Sequence, residues 1–247
     1  MAELLLLSNS VSPGMGFLEH ARTVIGGLVP PGSRLLFLPY ASADRDRYAE
    51  VMAEALAPLS IGVIAAHRCD DPAAELSACD AVFAGGGNSF RLLRALQAAG
   101  LITALRTAVA AGLPYLGASA GTNMACPTIR TTNDMPIVQP ESFAAIGLIP
   151  FQINPHYLDP DPGSAHQGET RPQRITEFLE ENDVPVLGLR EGSWLRVSGD
   201  TAVLGGTAGA RLFRRSQEAR ELAPGTDVSE LLAVRPRFDE PVSPAGI

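Results

Sequence analysis

The chain has 247 residues, of which 27 are acidic and 19 basic, so its formal charge at neutral pH is −8. Every basic residue is arginine, which excludes lysine-dependent chemistry such as Schiff bases, P-loop phosphoryl transfer and Ser-Lys dyads. The acidic balance argues against nucleic acid as a partner, and 46% hydrophobic residues at this length are typical of one globular α/β domain.

Short apolar runs alternate with helix-like stretches through the first half of the chain. The runs lack strict polar alternation, which is typical of strands covered on both faces. The predicted strands are 4–8, 34–38, 62–66, 81–84 and 115–117, and the predicted helices are 16–28, 44–56, 89–99 and 102–111. This βαβα rhythm predicts an α/β fold with a mostly parallel sheet flanked by helices.

The second half is less regular. Residues 127–170 are rich in Pro, Asn, Asp and Gly and predict long loops, and a helix over 171–181 follows with Thr170 as its N-cap. Predicted strands then cover 185–189, 193–197, 201–204 and 210–213. We expect a single α/β domain over residues 1–222 and a Pro-rich, loosely held tail over 223–247.

Two apolar stretches raise the question of a membrane. Residues 4–7 are too few for a signal peptide and follow no basic segment, and residues 107–129 carry no charge but are interrupted by Gly, Pro and Asn. The three cysteines have no metal-binding spacing and are expected to be reduced thiols. We therefore expect a cytoplasmic protein without a membrane partner, a metal or a cofactor, as a monomer or small homo-oligomer.

The strongest local motif is Gly117-Ala118-Ser119-Ala120-Gly121, between a predicted strand and a helix-compatible stretch. This is the G-x-S-x-G pattern in the context that a nucleophile elbow requires. Small flanking residues permit the sharp turn, and the turn aims the Ala120 N–H at an oxyanion formed on Ser119. The alternative is a tight Gly/Ala turn without chemistry, because the pattern also occurs by chance.

A second glycine run, Gly85-Gly86-Gly87-Asn88-Ser89, follows the fourth predicted strand. Glycine allows close backbone approach and positive φ, so Gly87 is a candidate for the second oxyanion donor and Asn88 a candidate substrate-binding residue. The alternative is a nucleotide cradle. The run does not match G-x-G-x-x-G and does not follow the first strand, which argues against that alternative.

A nucleophilic serine requires a base and an acid that orients it. Of the four histidines, His156 lies in a polar loop after a short apolar stretch, where it can project into a site, while His166 lies in a Gly/Pro loop and is expected to be solvated. Two acids are candidates: Glu191, at the end of a predicted strand, and Asp134, in a polar loop. The strand-end position favours Glu191.

These residues resemble peptidase E, the α-aspartyl dipeptidase family, over most of the chain. The matching motifs are 117–121, 126–137, 152–156, 168–171 and 191–194. The resemblance implies a serine peptidase that cleaves Asp-Xaa dipeptides on a class I glutamine amidotransferase-like fold, a flavodoxin-like three-layer sandwich. Amidotransferases of this fold carry cysteine at the elbow, so Ser119 argues against glutamine hydrolysis.

The resemblance also implies roles for individual residues. Ser119 would be the nucleophile and His156 the base, with Glu191 or Asp134 as the third member of the triad. Arg171 would lie near the side-chain carboxylate of the substrate aspartate, where a guanidinium can form two hydrogen bonds. The expected partner is therefore a small peptide.

Three alternative functions each fit part of the sequence. A cyanophycinase-like hydrolase of β-aspartyl-arginine would need acidic groups to receive arginine. An α/β-hydrolase esterase would fit the order Ser119, Asp134, His156, but these residues are too close in sequence to come from the later strands that carry such partners. A non-catalytic small-molecule-binding domain would not need the serine, the histidine and the two acids together.

Overall fold

The computed structural model describes residues 2–161, 163 and 168–240. The predicted solvated position of His166 and the last seven residues of the predicted tail lie outside the described residues. The strands are β1 (Glu3–Leu7), β2 (Arg34–Leu38), β3 (Gly62–Ala65), β4 (Ala81–Ala84), β5 (Tyr115–Ala118), β6 (Gln152–Tyr157), β7 (Val186–Arg190), β8 (Ser193–Ser198), β9 (Thr201–Gly206), β10 (Ala210–Phe213) and β11 (Arg220–Leu222).

The structure describes seven α-helices, four of which begin at a residue whose side chain caps the first turn. They are α1 (Arg22–Leu28), α2 (Arg45–Leu56), α3 (Pro72–Glu75), α4 (Ser89–Ala98), α5 (Leu101–Ala110), α6 (Ala120–Ala125) and α7 (Arg171–Glu181). Asp44 caps α2 by accepting a hydrogen bond from the Arg47 amide, and Thr170 and Gln173 form a capping box at α7. Among the described residues no single helix is long and apolar enough to cross a membrane; α4 and α5 together reach that length and composition but meet at 90°.

Within the described residues the larger sheet has seven strands in the order β3-β2-β4-β5-β1-β8-β9. The strands β3, β2, β4, β5 and β1 are parallel, and the β8–β9 hairpin adds to β1 in antiparallel orientation. A smaller sheet has the order β11-β10-β7-β6, in which β6 and β7 are parallel. The predicted parallel arrangement is thus present at the centre of the larger sheet.

Both faces of the larger sheet are covered, as its continuous apolar strands require. In β1, Leu5 and Leu7 belong to a core shared with α1 and α2, whereas Leu4 and Leu6 belong to a second core shared with α4, α5 and α6. The second core also contains apolar residues of β6 and β7, so it joins the two sheets. This shared core sets the position of the smaller sheet relative to the carboxyl ends of the parallel strands.

Two predicted elements are corrected by the structure. Residues 127–170 were expected to be loops throughout, but 152–157 form β6. The helix predicted over 16–28 is shorter: a 3₁₀ turn, Glu19–Ala21, precedes α1, and Leu18 before it has a φ of 57°. A left-handed residue at that point interrupts the helical path.

The expectation of a loosely held tail is wrong for residues 223–240. Val228 and Leu231 are buried in the second core, and the Val228 amide donates to the Ala202 carbonyl. Further along, Arg237 exchanges backbone hydrogen bonds with Asp183. The proline-rich composition masked apolar residues that complete the core, so this C-terminal segment (residues 223–240) packs against the domain.

Candidate active site

The site lies where the carboxyl ends of β1, β4 and β5 meet at one edge of the parallel sheet. Side chains that follow neighbouring parallel strands come together at such an edge. Ser8 follows β1, Gly86 follows β4 and Ser119 follows β5. A Cβ atom built on Gly86 would lie 3.3 Å from the Ser119 Cβ, which shows how closely the β4 loop approaches the serine.

Ser119 occupies a sharp turn between β5 and α6. Its φ and ψ are 52° and −109°, and its amide donates to the Leu7 carbonyl of β1 at 3.1 Å. The turn has no room for larger neighbours: a Cβ on Gly117 would lie 2.5 Å from the Gly121 carbonyl oxygen, and one on Gly121 would collide with the Ala84 carbonyl oxygen. The glycines of the motif are therefore required by close backbone approach.

A continuous hydrogen-bonded chain links Ser119, His156 and Glu191. The Ser119 Oγ lies 2.9 Å from His156 Nε2, and His156 Nδ1 lies 2.6 Å from Glu191 Oε1. The serine comes from the larger sheet, while the histidine and the glutamate come from β6 and the end of β7 in the smaller sheet. The arrangement can transfer a proton from the serine hydroxyl to the imidazole.

The His156 ring is aimed by an irregular backbone. His156 has a φ of 52° and lies where the register between β6 and β7 shifts between Pro155 and Tyr157. The His156 amide donates to the Ser8 hydroxyl oxygen at 2.9 Å, and that hydroxyl donates to the Leu189 carbonyl at 2.8 Å. Ser8 therefore ties the bulge of β6 to β7.

The turn that contains Glu191 is held by Asn9, the second residue after β1. Gly192 has a φ of 81°, which permits the tight turn after β7, and its amide donates to the Asn9 Oδ1 at 2.8 Å. The Asn9 Nδ2 in turn donates to the Val11 carbonyl and to the Ser12 hydroxyl oxygen. Because Asn9 is buried, this network fixes the start of the Glu191–Gly192 turn.

Asp134 does not reach the imidazole. Its Oδ2 accepts hydrogen bonds from the Ser89 amide at 2.7 Å and from the Thr132 hydroxyl at 3.2 Å. The carboxylate thus satisfies an amide in the first turn of α4, and the position next to His156 Nδ1 is taken by Glu191.

The structure also gives Asn88 a different contact from the predicted one. Its Oδ1 caps α4 by accepting from the Arg91 amide, and its Nδ2 donates to the Met135 carbonyl. Asn88 does not line the cavity beside Ser119. These contacts give Asn88 a structural role at the start of α4, and its role in substrate binding stays a prediction.

Two backbone amides near the serine have no acceptor among the described residues, Gly87 N–H and Ala120 N–H. The neighbouring Gly86 N–H is already used, since it donates to the Tyr48 hydroxyl oxygen at 2.8 Å. Burial raises the pKa of Tyr48 to about 12, so its hydroxyl stays neutral. Gly87 has a φ of 127°, a conformation that favours glycine.

A cavity of about 290 Å³ opens beside the serine. It is lined by Ser119, Asn123, Thr132, Asn133, Asp134, Pro155, His156 and Arg171. Arg171 has no carboxylate within 4.0 Å among the described residues. Partial burial, together with the charge of Arg174, lowers the pKa of Arg171, and Asp134 opposes this shift. The cavity therefore combines the serine–histidine pair with one cation.

The comparisons with known proteins identify the family of the chain. The sequence pattern that defines Peptidase family S51 matches residues 4–205. The chain belongs to peptidase family S51. Peptidase E of Streptomyces coelicolor is 65% identical over 96% of this chain and 97% of its own length. A Drosophila melanogaster protein named a probable alpha-aspartyl dipeptidase is 47% identical over 93% and 97% of the two chains.

The solved structures support the fold of this S51 peptidase. A peptidase from an acI-B1 actinobacterium superposes with a TM-score of 0.64 at 16% identity, covering 92% of this chain and 96% of its own. The predicted class I glutamine amidotransferase-like α/β fold is confirmed, as is the predicted resemblance to peptidase E.

Sequence reasoning missed three polar residues that hold the site of the S51 peptidase together. Ser8 and Asn9 support His156 and the Glu191–Gly192 turn, and Tyr48 engages the Gly86 amide. A signal for the first two was present, because both directly follow a buried strand whose carboxyl end lies at the elbow. Tyr48 gave no such signal, since it lies inside a helix that is remote in sequence from the glycine run.

Proposed function

We propose that this S51 peptidase hydrolyses dipeptides with N-terminal aspartate through an acyl-enzyme on Ser119. The observation that carries the proposal is the chain from the Ser119 Oγ through His156 to Glu191, with links of 2.9 and 2.6 Å, beside a cavity that holds Arg171. Support for the substrate comes from a relative that is 47% identical and is named a probable alpha-aspartyl dipeptidase.

The first half of the reaction uses His156 as base and then as acid. His156 Nε2 accepts the Ser119 proton while the oxygen attacks the peptide carbonyl carbon, and the resulting imidazolium is stabilised and oriented by Glu191. The same nitrogen then donates the proton to the leaving amine, which breaks the peptide bond. Water, deprotonated by His156, hydrolyses the acyl-enzyme and releases aspartate.

The negative charge on the carbonyl oxygen requires preorganised donors. Gly87 and Ala120 are proposed for this role, because their amides border Ser119 and donate to no described group. Donors of this kind are worth about 2.7–4 kcal/mol of barrier each. No metal or cofactor enters the proposed steps.

Selectivity for aspartate is assigned to Arg171. Its guanidinium lines the same cavity as Ser119 and can form two parallel hydrogen bonds to a carboxylate. Asp134 limits the cationic character of the cavity while it caps α4. The cyanophycinase-like alternative is not favoured, since an arginine side chain would face Arg171, and the complete Ser–His–Glu chain does not favour a non-catalytic binding domain.

The test is hydrolysis of a small panel by wild type and by Ser119→Ala. Wild type should cleave Asp-Leu and should act poorly on Glu-Leu, Leu-Asp and a simple ester. Ser119→Ala should lose at least about 10³-fold in kcat on Asp-Leu, because it removes the nucleophile. Ser77→Ala, at an exposed hydroxyl after α3, is the matched control and should be fully active. Full Asp-Leu activity in Ser119→Ala would refute the assignment of the nucleophile.

The cytoplasmic location and the monomer or small homo-oligomer stay predictions from the sequence. In support of the location, Cys69, Cys79 and Cys126 are free thiols in the structure.

A further inference from the structure

A second hollow of about 510 Å³ adjoins the loop that faces Ser119. Gly86 and Gly87 form part of its lining, and the remaining residues come from the segment after β2, from α2 and from α4. Gly86 also lies close to the Ser119 Cβ, so this hollow is separated from the nucleophile by Gly86. It contains neither Arg171 nor His156, so it is distinct from the cavity assigned to the substrate aspartate.

Arg91 places a cation in this hollow close to the proposed oxyanion donor. Its Nη1 donates to the Ala41 carbonyl oxygen at 3.3 Å. The same oxygen accepts from the Asn88 amide at 3.2 Å and lies against Gly87, where a Cβ would be 2.7 Å from it. The guanidinium and Gly87 therefore lie against the same carbonyl group, which places the charge of Arg91 close to the proposed oxyanion donor.

The other charges of the hollow are already engaged. The Asp44 carboxylate accepts the Arg47 amide as the N-cap of α2, and the Arg47 guanidinium pairs with Glu50 at 3.1 Å on the surface. Arg91 has no carboxylate within 4.0 Å among the described residues, and its side chain is only partly exposed. Arg91 is thus the cation of this hollow that is available to an anionic ligand.

The C-terminal carboxylate of a dipeptide needs a cation close to the reacting carbonyl. The carboxylate carbon of the leaving residue is two bonds from the scissile nitrogen, so it enters the site together with the reacting carbonyl. A carboxylate removed from water without a partner is strongly unfavourable. A longer peptide would present a neutral amide at this point, so a cation there also discriminates by substrate length.

We propose that Arg91 binds the C-terminal carboxylate of the substrate and that the hollow beside it receives the leaving residue. This inference rests on the proposed hydrolysis of Asp-Xaa and adds a second carboxylate site to it. Arg171 would bind the side-chain carboxylate of the aspartate, and Arg91 would bind the C-terminal carboxylate of the peptide. Only a dipeptide places its two carboxylates at both arginines.

The hollow on the other side of Arg171 fits a carboxylate less well. Its volume is about 400 Å³, and its lining includes Asp159, Asp161 and Glu169. Arg174, the second arginine there, already pairs with Glu169 at 3.5 Å. This lining carries three carboxylates and two arginines, whereas the hollow at Arg91 carries one carboxylate and two arginines, so the charge balance favours the hollow at Arg91.

The test compares Asp-Leu with Asp-Leu-amide, which lacks the terminal charge. Arg91→Ala should lose about 10- to 100-fold in kcat/KM on Asp-Leu, mainly through KM, and should change less than about threefold on the amide. Arg91→Lys, which keeps a charge, should recover part of the loss. Arg171→Ala should impair both substrates equally, because both carry the aspartate. Arg94→Ala, at an exposed arginine of the same helix, is the control and should match wild type on both.

Two results would overturn the assignment. Cleavage of the amide by wild type as efficiently as the free acid would show that the terminal charge is not recognised. Equal losses of Arg91→Ala on both substrates would mean that the variant disturbs the Ala41–Gly87 contact instead of a carboxylate site. Failure of wild type to cleave Asp-Leu at all is a separate outcome, which refutes the proposed function and this inference with it.

Discussion

Both residues that exchange a proton in the proposed mechanism have a strained backbone conformation. Ser119 and His156 both have a φ of 52°, in the left-handed region that residues other than glycine rarely adopt. Such conformations cost about 1–3 kcal/mol each and persist only where the surroundings fix them. Here Leu7 accepts the Ser119 amide and Ser8 accepts the His156 amide, so the end of β1 holds both strained residues.

The two acids near His156 are expected to differ in the property they control. Glu191→Gln removes the charge that stabilises the imidazolium and should lower kcat on Asp-Leu by about 10²- to 10⁴-fold, with little change in the free energy of unfolding. Asp134→Asn weakens the contacts to Ser89 and Thr132 and should lower stability by roughly 1 kcal/mol, with a smaller effect on kcat. Steady-state kinetics and urea unfolding of both variants distinguish the roles, and the reverse pattern would assign Asp134 to the triad.

Ser8 is expected to position His156 without touching the substrate. Ser8→Ala leaves the His156 amide and the Leu189 carbonyl without this partner, and kcat should fall roughly 10- to 100-fold while KM changes little. Ser8→Thr keeps the hydroxyl and should restore most of the activity. The low-field proton resonance of the His156–Glu191 hydrogen bond should weaken in Ser8→Ala and return in Ser8→Thr. An unchanged resonance with equally low activity would argue against a positioning role.

At the level of elements, the nucleophile elbow depends on glycine two residues before and two residues after Ser119, at positions 117 and 121. Gly121→Ala should lower the free energy of unfolding by several kcal/mol or prevent folding, because the new Cβ meets the Ala84 carbonyl oxygen of β4. Gly27→Ala is the control: it lies in α1 with nothing within 4 Å of the new Cβ, and should stabilise by roughly 0.5–1 kcal/mol. Chemical denaturation measures both, and equal stability of the two variants would contradict the close packing at the elbow.

The parallel strands and the elbow were predictable because their signals are local. An unbroken apolar run such as β4 is buried on both faces, and small residues around a serine after β5 permit one kind of turn. The strand β6 was not predictable, because Asn154 and Pro155 interrupt its apolar pattern. Among the described residues β6 pairs only with β7, so the proline costs no strand-to-strand hydrogen bond on the unpaired side of β6. The Asn154 side chain donates to the Thr131 carbonyl.

At the scale of the whole molecule, the proposed triad spans two sheets. Ser119 follows β5 of the larger sheet, whereas His156 lies in β6 and Glu191 follows β7, so the distances in the triad depend on how the smaller sheet packs against the larger one. The shared core and the contact from Ser8 to Leu189 hold the sheets together from one side. No local pattern in the sequence encodes this docking, which is why Glu191 and Asp134 were both left as candidates there.

The C-terminal segment contacts the loop of residues 127–137 on its solvent-exposed side through hydrogen bonds from Arg130 to Asp239. The Arg130 guanidinium forms two hydrogen bonds to the Asp239 carboxylate, at 2.7 and 3.1 Å, and a third to the Asn182 side chain. That loop carries Asp134 into the cavity of the site, and its Thr131 and Asn133 side chains donate to the Ile153 and Pro155 carbonyls of β6. The segment is therefore linked to the position of His156 through one arginine.

Asp239 should make this link sensitive to acid. The hydrogen bonds from Arg130 lower the pKa of Asp239 below its ordinary value of 3.8. A carboxyl whose pKa is lowered in the folded state stabilises that state above 3.8, and the contribution is lost as the pH falls through the lower folded value. Asp239→Asn should therefore unfold at a lower urea concentration than wild type at pH 7, and the difference should shrink as the pH falls below 3.8.

Salt and a second carboxylate test whether the interaction is electrostatic. Because Asp239 is exposed, the difference at pH 7 should also shrink at high ionic strength. Asp200→Asn is the matched control, since Asp200 lies on the exposed β8–β9 turn and accepts no side-chain hydrogen bond among the described residues; it should leave the urea midpoint unchanged. A difference between Asp239→Asn and wild type that does not shrink as the pH falls below 3.8 would show that the carboxylate charge does not hold the segment in place.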